Sequence, residues 1–264
     1  MFLHDYPGPV MMLNNKRWKK ILEILEQNDN ARVSELSEML EESEATIRRD
    51  LDRLSEKELI ERVHGGAILA KPASPQPPVL QRTGENVAEK ERIGEAAAAL
   101  IEEGETVFIG SGTTTMEVAR NLKGRHKLTI ITNALTVLNI LAEEKDITVI
   151  STGGLLRLSE LSFIGHITEQ ALEELRPQKV IMGMRAISVI EGLTNEYLPE
   201  VATDRVIIKS APEVIIVADY TKFRKVSTCY VAPIDSVSKI ITDSFTSIET
   251  IEEIRSLGVE VIAV

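Results

Sequence analysis

Cysteine is almost missing from this chain. Cys229 stands alone, which excludes an internal disulfide and fits a reducing compartment, the cytoplasm. Its neighbours Thr228, Tyr230 and Val231 lean apolar, so a buried structural thiol is expected there rather than a nucleophile. The four histidines stand singly, without the spacing that metal ligation demands, and no zinc site is expected. No apolar run approaches the ~20 residues that span a bilayer, so no membrane partner is expected. The opening MFLHDYPGPVMM has neither a basic leader nor an apolar centre and does not read as a secretion signal. Met11 and Met12 offer a second start, with 1–12 expected to be a disordered tail. Positive charge is also short. Thirty Lys and Arg face 41 Asp and Glu, a formal net charge of −11, which argues against nucleic-acid binding over the surface as a whole.

Where the positive charge lies matters more than its sum. It gathers at Lys16–Lys20, Arg48–Arg53 and Arg62, while acids dominate after residue 85. Within SEATIRRDL, residues 43–51, Ser43 is a capping residue ahead of Thr46, Arg48 and Arg49 on the opening turns of a helix. Ile47, Leu51 and Leu54 recur at i, i+4, i+7 and give that helix one face to bury. Arg is the side chain whose planar fork best matches guanine edges and phosphate oxygens. Upstream, KRWKKILEILEQ (16–27) and VSELSEML (33–40) read as two shorter amphipathic helices, and Glu41-Glu42-Ser43 breaks the second from the third. That order is a helix-turn-helix. Leu59–Val63 and Ala67–Leu69 read as a pair of strands turning at His64-Gly65-Gly66, a wing whose tip reaches adjacent backbone. Ser43, Thr46, Arg48, Arg49, Arg53, His64 and Gly65 are therefore the candidate contacts to double-stranded DNA. A three-helix protein-interaction module with a solvated Arg pair is the bland alternative.

Residues 71–78 (KPASPQPP) hold four of the ten prolines and mark a boundary. The division expected is a winged helix-turn-helix domain over 13–70, a Pro-rich linker over 71–82 and a larger domain over 83–264. In the larger domain short β-branched runs at 107–109, 128–131, 147–150, 179–182, 214–217 and 239–241 alternate with helical patterns. That is the mark of an α/β fold with a largely parallel sheet. No internal repeat is visible.

One strand runs into Gly110-Ser111-Gly112-Thr113-Thr114 and then into a helix. Glycines admit an anion close to the backbone, and first-turn amides and hydroxyls supply donors. The spacing matches neither the P-loop nor the dinucleotide glycine pattern, so no cofactor is expected. Further polar residues follow other strands, where ligands bind in such sheets: Asn133, Gly153, Gly154, Arg157, Arg185, Asp219 and Lys222. This inventory suits a small phosphorylated polyol, although each residue taken singly also fits a turn, a cap or a surface ion pair.

TIRRDL followed by ERVHGGA resembles the N-terminal domain of the DeoR family of bacterial transcriptional regulators. The resemblance continues through Ile-Gly-Ser-Gly-Thr-Thr (109–114), Thr132-Asn133-Ala134, Thr152-Gly153-Gly154, Gly192-Leu193-Thr194 and ADYTKF (218–223), nearly the whole chain after Leu13. It implies a Rossmann-like effector domain similar in fold to ribose-5-phosphate isomerase. It also implies a phosphorylated sugar or related metabolite held by Ser111, Gly112, Thr113 and Thr114, with Asp219 and Lys222 across the same crevice. Three departures stand out. Glu42 replaces a small apolar residue, Glu58 replaces a glycine, and Arg185 follows Gly183-Met184 where small residues are usual. The first two bear on DNA affinity, and Arg185 either adds an anion contact or closes the pocket.

The function expected is that of a repressor of carbohydrate genes, not an enzyme, acting as a homo-oligomer (a dimer or tetramer) on repeated half-sites. The competing reading is a sugar-phosphate isomerase with Asp219 and Lys222 as acid and base. A pure scaffold would leave both motif sets unexplained.

Overall fold

The computed structural model describes residues 16–28, 30–56, 59–63, 65–69 and 77–264. The expected tail at 1–12, Glu58, His64 and most of the linker lie outside the described residues. The chain divides into two compact units, 1–72 and 73–264.

In the first unit, α1 (Lys16–Asn28), α2 (Val33–Leu40) and α3 (Glu44–Glu56) surround one small core. Ile21, Leu22 and Leu25 of α1 meet Val33 and Leu36 of α2 and Ile47, Leu51 and Leu54 of α3, all buried. These are the i, i+3/i+4 stripes visible in the sequence. Three short strands, β1 (Asn30–Arg32), β2 (Ile60–Val63) and β3 (Gly66–Leu69), pair antiparallel in the order β1-β3-β2. β1 was not expected, because three residues carry no readable alternation. Gly66 lies inside β3, and a Cβ there would collide with the Ala31 carbonyl. Gly65 alone holds the described end of the turn, at φ +81.

The second unit is built on a seven-stranded parallel sheet. Its members are β4 (Thr106–Ile109), β5 (Leu128–Thr132), β6 (Ile147–Ser151), β9 (Lys179–Met182), β12 (Glu213–Val217), β14 (Lys239–Thr242) and β15 (Glu260–Ala263), ordered β15-β14-β12-β9-β4-β5-β6. Strands buried on both faces read as continuous apolar runs, which is why the sequence shows the inner ones plainly; the edge strand β15, only partly buried, was not expected. Val107 and Ile109 face one layer with Ile181, Ile215 and Val217, over α4 (Val87–Ala99), α5 (Thr113–Arg120) and α6 (Leu135–Leu141). Phe108 faces the other with Val180, Met182, Val214 and Ile216, over α7 (His166–Glu174), α8 (Leu198–Lys209) and α9 (Ile248–Ser256).

The strand order reverses between β4 and β9. In a doubly wound sheet that switch point leaves a crevice beyond the strand ends. Gly110–Gly112 leaves β4 there and Gly183–Arg185 leaves β9, with the ideal Cβ of Gly183 only 3.6 Å from the Ser111 carbonyl oxygen.

Two smaller sheets flank the crevice. β7 (Leu155–Arg157) and β8 (Ser162–Ile164) form a hairpin, and β10 (Ala186–Ser188), β11 (Gly192–Asn195) and β13 (Cys229–Ala232) form a three-stranded antiparallel sheet. Gly192–Asn195, which includes the Gly192-Leu193-Thr194 of the family resemblance, is a fully buried strand. Cys229 is half-buried rather than buried, since β13 is the edge of its sheet. The far end of the stretch read as linker is a 3-10 helix, Val79–Gly84, with Val79 and Arg82 buried against the second unit.

Candidate functional site

Two sites result, one on each unit. In the first, Ser43 caps α3: its Oγ accepts from the Thr46 N–H at 3.2 Å and lies 2.9 Å from Thr46 Oγ1. Such a cap satisfies an orphan amide and fixes where the helix begins. Ser43, Arg48, Arg49 and Arg53 are exposed and Thr46 is half-buried, all on or beside the face opposite Ile47, Leu51 and Leu54. Arg48 reaches back to Glu44 at 2.8 Å, an exposed i,i+4 pair of small energetic weight that DNA can replace. Arg62 on β2 ties the wing to α3, pairing with Asp52 at 3.1 Å and donating to the Arg48 carbonyl at 3.3 Å. Gly65 is exposed at the wing, and His64 is outside the described residues.

The back of α3 carries a polar contact that periodicity did not disclose. Asp50 is buried, accepting from Trp18 Nε1 at 2.8 Å and pairing with Arg17. The hydrogen bond to Asp50 holds the Arg17 guanidinium above its usual pKa despite the opposing effect of burial. Arg17 also reaches Glu42 at 2.8 Å. Glu42 is therefore not a buried orphan: its side chain is 35% exposed and paired with Arg17.

The second site is the crevice at the switch point. One cavity is lined by Gly110, Ser111, Gly112, Thr113, Thr114, Asn133, Arg157, Arg185 and Lys222, nine of the residues singled out from sequence. Gly112 takes φ +132 and opens α5, whose first-turn amides have no intrahelical acceptor. They and the helix dipole make a place for an anion. Asn133 is 4% exposed; its Nδ2 donates to the Phe163 carbonyl at 3.0 Å, which leaves the buried Oδ1 without a donor. A ligand hydroxyl can supply one. Burial lowers the Lys222 ammonium to about 8, against the pull of nearby Asp219.

Three expected members are not brought to the cavity wall. Asp219 is buried and turned to its own chain, where its carboxylate caps the 3-10 helix Tyr220–Lys222 through Thr221 N–H and Oγ1. Gly153 and Gly154 instead let the loop after β6 approach α7. Thr168 Oγ1 donates to the Gly153 carbonyl at 2.6 Å, and a Cβ on Gly154 would collide with Thr168 Oγ1.

The DeoR C terminal sensor domain matches residues 85–244, and the DeoR-like helix-turn-helix domain matches residues 17–73. This chain belongs to the DeoR family. Among curated relatives, "Transcriptional repressor AccR" of Agrobacterium fabrum is 37% identical over 90% of this chain and 93% of its own length. The "Glycerol-3-phosphate regulon repressor" of Escherichia coli K12 is 35% identical over 88% and 92%. Among solved structures, ribose 5-phosphate isomerase A of Methanocaldococcus jannaschii aligns at TM-score 0.40 and 14% identity, over 53% of this chain and 55% of that one.

This DeoR-family cavity also holds acids that were not expected. Glu160, Glu196, Glu200 and Asp204 line it, and the arginines are paired with them. Arg82 pairs with Glu160; Arg157 pairs with Glu200 and, at 3.7 Å, with Glu196; Arg185 Nε meets Glu196 at 2.8 Å. Asn195 Nδ2 donates to Glu200 at 3.1 Å and to Asp204 at 2.7 Å. Burial, helped by the charge of Glu200, pushes the Asp204 carboxyl up to about 8, so it is protonated at neutral pH. Burial likewise raises Glu160 despite Arg82. A signal for two of these was available: Glu200, Asp204 and Ile207 recur at i, i+4, i+7, the spacing of a buried helix stripe.

Proposed function

We propose that this chain is a transcriptional repressor of carbohydrate genes, released from or held on its operator by a phosphorylated sugar or related metabolite. In this reading α3 enters the major groove, with Arg48 and Arg49 reaching bases or phosphates and the wing following the backbone. The metabolite places its phosphate at the start of α5, near Lys222, and a hydroxyl on Asn133. The observation that carries the reading is that cavity: an open helix N-terminus, a half-buried lysine and an unsatisfied amide oxygen meet where the sheet order reverses. The relative named for the glycerol-3-phosphate regulon supports the same ligand class.

The molecule works in this reading as a non-catalytic cytoplasmic homo-oligomer, a dimer or tetramer matched to symmetric half-sites. No helix among the described residues is long and apolar enough to cross a membrane. Against an isomerase, Asp219, the acid such a reading requires, is occupied in capping its own turn.

The test is fluorescence anisotropy with DNA from upstream of the chain's own gene against a scrambled duplex at one salt concentration. Preference for the native duplex, reversed or strengthened by sugar phosphates, is the expected result. Gly112→Val should abolish the metabolite response and leave operator affinity intact, because a β-branched residue resists φ +132 and its side chain would fill the anion's place. A normal response in that variant places the phosphate elsewhere, and turnover of pentose phosphates lost in Lys222→Ala would restore the enzyme reading.

A further inference from the structure

The charges that line the cavity divide unevenly. Arg82 pairs with Glu160, Arg157 with Glu200 and Arg185 with Glu196, while Lys222 is drawn to Asp219. Asp204 is left as the lining acid that makes no ion pair among the described residues. It is 8% exposed, and its Oδ2 accepts from Asn195 Nδ2 at 2.7 Å, while Oδ1 has no partner among the described residues. A carboxyl so enclosed and without a paired cation keeps its proton, because the charged form would give up its hydration for nothing. The cavity thereby gains an O–H donor in place of a negative charge.

The neighbours of Asp204 favour a neutral partner for that donor. Glu200 lies one helical turn before it and Arg157 acts on it from β7, and these two, being paired, offer no net charge. An ammonium would require Asp204 to release its proton beside the Arg157 guanidinium, and a carboxylate or phosphate would stand against Glu200. A hydroxyl does neither. β8 joins this corner to the orphan Oδ1 of Asn133: Phe163 accepts from Asn133 Nδ2 at 3.0 Å, and Ser162 Oγ donates to Glu200 at 3.0 Å. We propose that Asp204 is a specificity-determining residue that donates a hydrogen bond to one hydroxyl of the sugar phosphate. The proposal rests on the sugar-phosphate reading of the cavity given above. A donor buried for one hydroxyl discriminates against a ligand without it, since the donor is then left unpaired.

Binding then depends on the Asp204 proton. The groups that face Asp204 are Glu200, Arg157 and the neutral Asn195, with Glu160 and Glu196 elsewhere on the wall. Lys222 lines the same cavity and itself titrates at about 8, so chains are compared with one another at each pH and its contribution cancels. The experiment is titration calorimetry on the full chain with ribose 5-phosphate, glucose 6-phosphate and fructose 6-phosphate. Whichever binds most tightly becomes the probe, and its deoxy analogues are the controls. At pH 7 one deoxy analogue should bind about tenfold weaker than the probe, the scale of one lost hydrogen bond to a buried group. Asp204→Leu should lose a similar factor with the probe. Asp204→Asn, whose amide N–H donates in place of the acid, should recover most of it, and it carries the comparison where the Leu variant does not fold. Between pH 7 and pH 9 the unaltered chain should lose about tenfold in affinity relative to Asp204→Asn, because its carboxyl, pushed up to about 8, ionises and ceases to donate. That deoxy analogue should show no such relative loss. A ratio between the two chains that stays flat with pH overturns the proposal, as does a relative loss shared equally by the probe and every deoxy analogue. Tighter binding of glucosamine 6-phosphate than of glucose 6-phosphate, with a proton released to the buffer, also overturns it, in favour of an ionised Asp204 holding an ammonium. Gly112→Val separates the two readings. Probe binding lost in that variant, together with a flat ratio, sinks only this proposal. Probe binding that survives the variant overturns the phosphate site itself, and failure of all three sugar phosphates to bind overturns both.

Discussion

Asp204 and Lys222 line the same cavity with opposite charge types, and burial moves both toward their neutral forms, each to about 8. The consequences for stability have opposite signs. Asp204 holds its proton in the folded chain up to about pH 8 but releases it near 3.8 when unfolded. The native state therefore binds the extra proton, and stability falls as pH rises from about 4 to about 8. Lys222 loses its proton near 8 when folded and at 10.5 when unfolded, so stability recovers between those values. Replacing Asp204 with Asn keeps an acceptor for Asn195 and removes the first titration. The melting temperature of Asp204→Asn relative to the unaltered chain should therefore rise steadily across pH 4 to 8, and a gap that does not vary with pH would refute the assignment. Asp204 and its acidic neighbours were the least legible part of the site. A carboxylate on a helix ordinarily faces water, and only the sheet hairpins that close over α8 bury Glu200 and Asp204. Asp219 erred the other way. A carboxylate after a strand reads equally as ligand or cap, and here the local amide of Thr221 wins it.

Elements were easier to read where burial is one-sided or complete. α3 combines an apolar stripe, a Ser cap and exposed arginines, so its start and its buried face were visible in the sequence. Arg48→Ala and Arg49→Ala are each expected to weaken operator binding without lowering the melting temperature of the folded chain. A base contact would cost about 1–3 kcal/mol and relax specificity at one position, whereas a phosphate contact would weaken every sequence alike and flatten the salt dependence. The loss for Arg48 is enlarged, because its removal also leaves the Glu44 carboxylate unpaired, and a bare negative charge repels the phosphates. Unchanged binding in both variants would remove α3 from the groove. Six of the seven parallel strands were legible as apolar runs whose ends shifted by a residue or so, whereas the edge strand β15, only partly buried, was not expected. β10, β11 and β13 were not legible either. They are three or four residues long, and Gly192 and Asn195 are turn-formers by composition that cross-strand pairing holds extended.

At the scale of the molecule the question is how a metabolite in one unit is felt by the other, and the chain itself supplies a route. Pro77–Gly84 is the first described stretch after the DNA-binding unit, and it is fixed to the cavity wall rather than lying free. Val79 is buried and donates its N–H to the Ser159 carbonyl at 2.7 Å. Arg82 lines the cavity, donates to the Pro77 carbonyl at 2.8 Å and pairs with Glu160. Lys90 Nζ, buried and lowered in pKa by that burial, ties the Arg82 and Glu85 carbonyls to α4. Ser159 and Glu160 directly follow Leu158 and the β7 strand that carries Arg157. A ligand that moves Arg157 or its acidic partners thus pulls on the residues that anchor the linker. Allosteric coupling is a difference in ligand affinity between two arrangements, and it is reciprocal. Operator DNA should therefore change sugar-phosphate affinity by the same factor that sugar phosphate changes operator affinity. Glu160→Gln keeps a hydrogen-bond acceptor for Arg82 and removes the ion pair. It is expected to reduce the coupling factor by about fivefold or more, the lower end of typical coupling, whatever change it makes to ligand affinity in the absence of DNA, since Glu160 lines the cavity. Titrating the ligand with and without saturating operator measures both quantities. A coupling factor that survives Glu160→Gln at full strength would mean that the signal travels by another path, and the packing of Pro77–Gly84 would then be no more than the anchorage of a linker.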